Sequence, residues 1–230
     1  WNMQFVQGDI LDKELVKKIF KDANIVHHLA GITDVPRTKS EENLEKNKKI
    51  LTIAEEGTQN ILEAITSKCK IIFPSTHVVY EGIEKVKNNI LEEEQTKPVL
   101  SYSSSKAINE KQLKESGKNY IILRLGSVYG YSGDTARIDI MPNLFSKISS
   151  QNGTLRLFSG CKQIKSLVPL IDVARCFKFM EERSDLKFQI FNLTKDTITV
   201  KNVAEICKKN NPKVTLRETN DEIPNLGFSL

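Results

Sequence analysis

The chain has 230 residues, 39% hydrophobic and 27% charged, the make-up of an ordinary folded protein long enough to bury one large core or a core and a smaller lobe. Its 34 Lys and Arg against 29 Asp and Glu leave a net charge of +5, spread along the chain. That spread excludes a dense nucleic-acid footprint while suiting an anionic ligand such as a diphosphate, and no apolar run approaches the ~18–20 residues of a membrane span.

Short apolar runs alternate with longer segments of helical period, the signature of a parallel sheet with crossover helices. Residues 3–6 read as a short strand, and 13–20 as a helix with Leu15, Val16, Ile19 and Phe20 on one face. Residues 24–29 read as a buried strand. A long helix ends on Gly57-Thr58-Gln59-Asn60-Ile61-Leu62-Glu63-Ala64; strand 70–74, helix 102–115 and strand 120–125 follow. Beyond Gly133 the pattern changes to a helix near 141–149, strand 154–158, helix 172–182, strand 188–193, helix 200–210 and strand 213–217. The expected fold is α/β, with a nucleotide-binding half over residues 1–133 and a smaller lobe over 134–230, interleaved, the boundary lying between Tyr131 and Asp139. Cys69, Cys161, Cys176 and Cys207 lie far apart, with no CxxC and no histidine at ligand spacing. Reduced, buried thiols in a cytoplasmic compartment are expected, with no signal peptide and no metal site.

The strongest chemical pattern is Tyr102-Ser103-Ser104-Ser105-Lys106, with Ser75-Thr76 upstream. A four-residue spacing on a helix sets Tyr102 and Lys106 a turn apart on one face. A nearby ammonium lowers a phenol from its reference near ~10, making Tyr102 a usable base for a hydroxyl at neutral pH. Thr76, at a strand end, can hydrogen-bond the same substrate oxygen. His27 and His28 are adjacent in a strand and point to opposite faces, so they cannot share a metal.

The segments Gly8-Asp9-Ile10, His28-Leu29-Ala30-Gly31, Gly57 to Ala64, Ser75 to Tyr80, the YxxxK, Leu123-Arg124 with Val128-Tyr129-Gly130, and Val168 to Ala174 run in one order along nearly the whole chain. In that order and spacing the chain resembles the NAD-dependent epimerase/dehydratase family, the extended short-chain dehydrogenases. The resemblance implies a Rossmann-like doubly wound parallel sheet with a smaller C-terminal α/β substrate lobe. It implies a catalytic set of Thr76, Tyr102 and Lys106. It places NAD, with NADP left open, against Asp9, Ile10, Leu29, Ala30, Gly31, Ser75, Tyr102, Lys106 and Leu125. It places a nucleotide-sugar substrate against Thr33, His77, Ser127, Asn143, Leu144, Phe158 and Lys165. A homodimer through the YxxxK helix and the helix before it follows by analogy. From the residues alone, Asp9 also reads as the cap of a turn, Phe158 as core, and His77 as a residue beside the substrate or away from it.

The chain departs from the family pattern in several places. The glycine-rich loop GxxGxxG is absent from these residues, so an N-terminal βαβ unit of roughly 30 residues is expected outside them, and these residues alone should bind NAD poorly. Ala54 stands where the family has Asn before Gly-Thr, Ser127 where it has Asn before Val-Tyr-Gly, and Lys165 where it often has Arg. Lys keeps the charge but loses the bidentate fork. His77 and Val78 occupy the places of the dehydratases' Asp-Glu, which argues against 4,6-dehydration. The expected activity is a nucleotide-sugar 4-epimerase resembling those that act on UDP-glucose, working through a transient keto sugar. A sugar or carbonyl reductase is a second enzymatic reading, and a non-catalytic nucleotide-binding protein a third.

Overall fold

The computed structural model describes residues 3–33, 43–84, 86–133, 137–158, 161–219 and 227–230. The chain divides into two compact units. One is drawn from residues 1–79, 96–123 and 180–191, the other from 80–95, 124–179 and 192–230.

In the first unit, helix α1 (Lys13–Phe20) starts where Asp12 accepts a hydrogen bond from the Leu15 N–H at 3.0 Å, satisfying an amide the helix itself cannot. Asn43 does the same for α2 (Leu44–Ala64), accepting from Lys46 N–H at 3.0 Å. Helix α2 is the crossover between strand β1 (Ile25–His27) and strand β2 (Lys70–Thr76), which pair in parallel with Val26 opposite Ile71. Ile71, Ile72 and Phe73 are fully buried, as a strand covered on both faces requires. Helix α3 (Ser101–Glu115) and strand β3 (Asn119–Leu125) follow, and β7 (Gln189–Leu193) completes a four-stranded sheet in the order β1-β2-β3-β7. Val16, Val26, Ile61, Leu62, Phe73, Leu113 and Ile122 belong to its core. The buried Lys70 ammonium donates to the carbonyls of Met180 at 3.0 Å and Arg183 at 2.6 Å, closing the end of α5 (Leu170–Glu182).

The second unit holds two smaller sheets. Strand β6 (Ile164–Pro169) pairs in parallel with β4 (Ser127–Tyr129) and antiparallel with β8 (Asp196–Thr199). Strand β5 (Thr154–Phe158) pairs in parallel with β9 (Thr215–Thr219). Helices α4 (Met141–Ser150) and α6 (Val200–Asn210) flank them, with Phe145, Leu155, Leu157, Val203 and Val214 in the core. Arg124 is buried; it donates to the Tyr80 hydroxyl and to the Glu92 carbonyl, the latter at 2.8 Å, and lies 5.0 Å from the Tyr80 ring centre.

The α/β class and the parallel sheet are those expected. Helices α1 and α6 fall on their expected limits. Residues 3–6, expected as a strand, carry no ladder partner among the described residues, and Met3 and Phe5 stand 81% and 88% exposed. An apolar run becomes a strand only when a neighbour takes its backbone hydrogen bonds. The strand expected at 213–217 forms two residues later, as β9. The boundary expected after 133 adjoins residues 134–136, which lie outside the described residues.

Candidate active site

Helix α3 presents its chemistry toward β2. Its first turn is closed by Ser103, whose hydroxyl accepts from the Leu100 N–H at 3.1 Å and donates to the Leu100 carbonyl at 2.9 Å. Tyr102 is half-buried and Lys106, one turn on, is 7% exposed. The Lys106 ammonium sits 4.6 Å from the centre of the Phe73 ring, held by a cation–π contact in a dry environment. Burial pushes its pKa down from 10.5 to about 8. Phe73 lies three residues before Thr76 on β2, so one strand supplies both the surface beneath Lys106 and the hydroxyl.

The end of β2 is fixed from α3 as well. The Ser75 hydroxyl donates to Glu110 Oε1 at 2.6 Å, and both residues are buried. The Thr76 hydroxyl accepts from the Val78 N–H at 3.3 Å and opens the 3-10 turn His77–Tyr80. Thr76 and His77 are buried, at 7% and 9% exposed. Glu110 went unread in the sequence, although its place four residues after Lys106 puts it on the same helix face.

A cleft of about 660 Å³ brings together Asp9, Ile10, Leu29 and Ala30, with Gly8, His27 and His28 also on its wall. Asp9 Oδ1 accepts from the Leu11 N–H at 2.9 Å, so the capping role is present. Asn60 on α2 steadies this turn by donating to the carbonyls of Ile10 at 3.1 Å and Leu11 at 3.4 Å. Gly57 lets α2 approach it, since a Cβ there would stand 2.8 Å from Ile10 Cγ2. Leu29 is 65% exposed, and Ala30, Gly31 and Thr33 are exposed. His27 and His28 diverge as expected: His27 Nε2 is 2.6 Å from Glu181, whereas His28 is buried with Nε2 2.7 Å from the Thr58 hydroxyl.

The other expected substrate contacts, Ser127, Asn143, Leu144, Phe158 and Lys165, belong to the second unit, as does Leu125. The Asn143 side chain is engaged locally: its Oδ1 accepts from the Gly130 N–H at 3.1 Å and its Nδ2 donates to the Arg137 carbonyl at 2.9 Å. On β5, Leu155 and Leu157 are buried while Phe158 is 41% exposed, so the core reading of Phe158 fails by strand alternation. Lys165 is half-buried, and burial lowers its pKa.

The sequence profile described as the NAD dependent epimerase/dehydratase family matches residues 2–194. The chain belongs to that family. The UDP-glucose 4-epimerase of Lactobacillus helveticus is 31% identical over 170 residues, which cover 67% of this chain and 49% of that protein. The chain spans half or less of the length of the first curated relatives that it matches. The solved UDP-glucose 4-epimerase of Thermotoga maritima, with UDP-glucose, superposes with a TM-score of 0.80 at 21% identity, covering 100% of this chain and 75% of that one. The UDP-glucuronic acid 4-epimerase of Bacillus cereus, with UDP-glucuronic acid and NAD, gives 0.77 at 23% identity, covering 95% and 69%. At those identities the likeness is one of fold. The family is NAD-dependent, and the first unit fits that group: it offers the cleft beside Asp9, small exposed residues after β1, and a buried ammonium at Lys106.

Proposed function

We propose that the chain belongs to a nucleotide-sugar 4-epimerase whose base is Tyr102. The observation that carries this reading is the buried Lys106 ammonium one helical turn from Tyr102, pinned over Phe73 on the strand that ends in Thr76. A positive charge in a poorly solvated place favours the phenolate of a neighbouring tyrosine more strongly than the same charge in water. Tyr102 then takes the proton of a sugar hydroxyl, and Thr76 hydrogen-bonds the same oxygen and orients it. The keto sugar turns over in the pocket, and Tyr102 returns the proton to the oxygen on the inverted carbon. NAD, when bound, supplies the acceptor and donor of the hydride. Asp9, Ile10, Leu29, Ala30 and Gly31 would hold its adenosine side, and Ser75, Lys106 and Leu125 its nicotinamide side. His77 and Val78, in place of an acid and base able to expel water, favour epimerisation over dehydration.

Thr33 and His77 are proposed substrate contacts of the first unit, and Ser127, Asn143, Leu144, Phe158 and Lys165 are proposed substrate contacts of the second. Exposed Phe158 suits stacking on a base, and Lys165 suits a diphosphate. A cytoplasmic homodimer formed through α2 and α3 belongs to the same proposal; a monodisperse monomer in sedimentation would remove the dimer from it. The test of function is interconversion of UDP-sugar 4-epimers by the full-length protein with added NAD, followed by NMR. Turnover that stays in one epimeric form but consumes a reduced cofactor would assign a reductase instead.

A further inference from the structure

Beside this site lies a buried polar network that the proton transfer does not use. Asn109, on α3 one turn beyond Lys106, has its Nδ2 2.7 Å from the Ala54 carbonyl and 2.8 Å from the Thr58 hydroxyl. A carbonyl can only accept, so the nitrogen assignment of that amide is settled, and the Thr58 hydroxyl facing it can accept from it but not donate to it; Gln112 Oε1, at 3.2 Å, is a third and more distant acceptor of the same nitrogen. Among the described residues the remaining neighbour of the Thr58 hydroxyl is His28 Nε2, at 2.7 Å. If Thr58 gives its own proton to Nε2, the neutral imidazole carries its hydrogen on Nδ1, and that single N–H is left without a partner. If Nε2 donates instead, both the Thr58 proton and Nδ1 are left unpaired. Leaving a buried polar group unpaired is costly, so the first arrangement wins. Thr58 is 1% exposed, His28 3% and Asn109 4%, so water does not take over these roles at the surface.

We propose that the chain His28–Thr58–Asn109 is a positioning network for the Tyr102/Lys106 pair, with His28 held as the Nδ1–H tautomer. It ties three elements together where each meets the site. His28 directly precedes the Leu29-Ala30-Gly31 turn after β1, Thr58 anchors α2, and Asn109 fixes α3 within a turn of Lys106. The groups facing the imidazole are the Thr58 hydroxyl from α2, the Phe73 ring from β2 at 5.4 Å, and the Lys106 charge from α3. A neutral imidazole is compatible with that ammonium, whereas an imidazolium would push it off the Phe73 ring and loosen the helix face that carries Tyr102. In agreement, burial first and Lys106 second lower the His28 pKa to about 4. This inference rests on the epimerase reading for its kinetic consequence but not for its geometry.

The experiment is a two-bond proton–nitrogen correlation spectrum of His28 in the full-length protein, with Thr58→Val and Thr58→Ser beside it. The wild-type ring is expected as the neutral Nδ1–H tautomer from mildly acidic to neutral pH. Thr58→Val keeps the volume but removes the hydroxyl. It should release the tautomer, move the titration of the Lys106 side chain followed by carbon NMR, and lower kcat about tenfold with a displaced pH–rate profile. Thr58→Ser should restore all three. A wild-type Nε2–H tautomer would overturn the proposal. So would a folded Thr58→Val protein whose Lys106 titration and pH profile stay in place. Absence of turnover in the wild type would sink the epimerase reading, while the tautomer and the Lys106 titration would still decide the network.

Discussion

Replacing Lys106 by Met should make the folded protein more stable while abolishing the proposed epimerisation. In the native state the ammonium is 7% exposed and its pKa has fallen from 10.5 to about 8, with desolvation the cause. At ~1.4 kcal/mol per unit, that fall corresponds to ~3 kcal/mol of native-state penalty at neutral pH. Methionine has a similar reach without the charge, so the penalty disappears. The lost cation–π contact with Phe73 and imperfect repacking return ~1–2 kcal/mol, which leaves a net gain of ~1–2 kcal/mol. The sign with pH follows from proton uptake. Between pH 8 and 10.5 the unfolded chain binds the Lys106 proton more tightly than the native one does. Wild-type stability in this term therefore rises across that window. The advantage of Lys106→Met should be full below pH 8 and shrink as pH climbs toward 10.5. Urea unfolding followed by circular dichroism at pH 7 and pH 10 measures it. A variant less stable than wild type at pH 7, or a gain identical at the two pH values, would refute the reasoning. A cost of this size retained at the proposed active site is what a trade of stability for function looks like.

Tyr102→Phe should leave folding intact and reduce the proposed epimerisation by about 10²–10⁴-fold with substrate affinity little changed, read from initial rates. His28, neutral down to about pH 4 in the native state against 6.5 when exposed, should cost the protein stability as pH falls from 6.5 toward 4, by up to ~3 kcal/mol. Its replacement by Gln should flatten that part of the stability–pH curve, and curves of equal slope would count against the burial argument. Arg124 serves the Tyr80 hydroxyl and the Glu92 carbonyl from the one nitrogen Nη1, and Arg124→Met keeps most of the apolar reach while leaving both buried groups without that donor. The substitution should lower stability by ~1–3 kcal/mol in a denaturant titration.

What the sequence made legible, and what it hid, divides by the range of the interactions involved. Helices α1 and α6 could be read residue by residue because their signals are local: Asp12 and Thr199 cap the first turns, and the apolar period names the buried face. Strands β4, β6 and β8 were missed because nothing local marks them. They are short, half-exposed in part, and exist through pairings between residues some 30 or 40 positions apart. Residues 3–6 fail in the opposite direction, an apolar run without a ladder among the described residues. The site divides in the same way. The i, i+4 relation of Tyr102 and Lys106 is visible in any helix, whereas Ser75 meets Glu110, and His28 meets Asn109 through Thr58, only because the sheet and its crossover helices bring distant segments together.

Part of that hidden layer was still deducible. If Lys106 must face β2 to reach the substrate, the helix repeat turns residues 109, 110 and 113 inward with it. Leu113 then belongs in the core, but Asn109 and Glu110 are polar and must find partners there. The segments that α3 covers offer few polar side chains: Ser75 beside Thr76 on β2, and Thr58 on α2. Pairing an acid with a serine and an amide with a threonine is the arrangement that leaves fewest groups unsatisfied, and it is the one the structure adopts. A polar residue on the buried side of a helix that carries a proposed catalytic pair is thus a pointer to the residues that position that pair, and it can be followed before any coordinates exist.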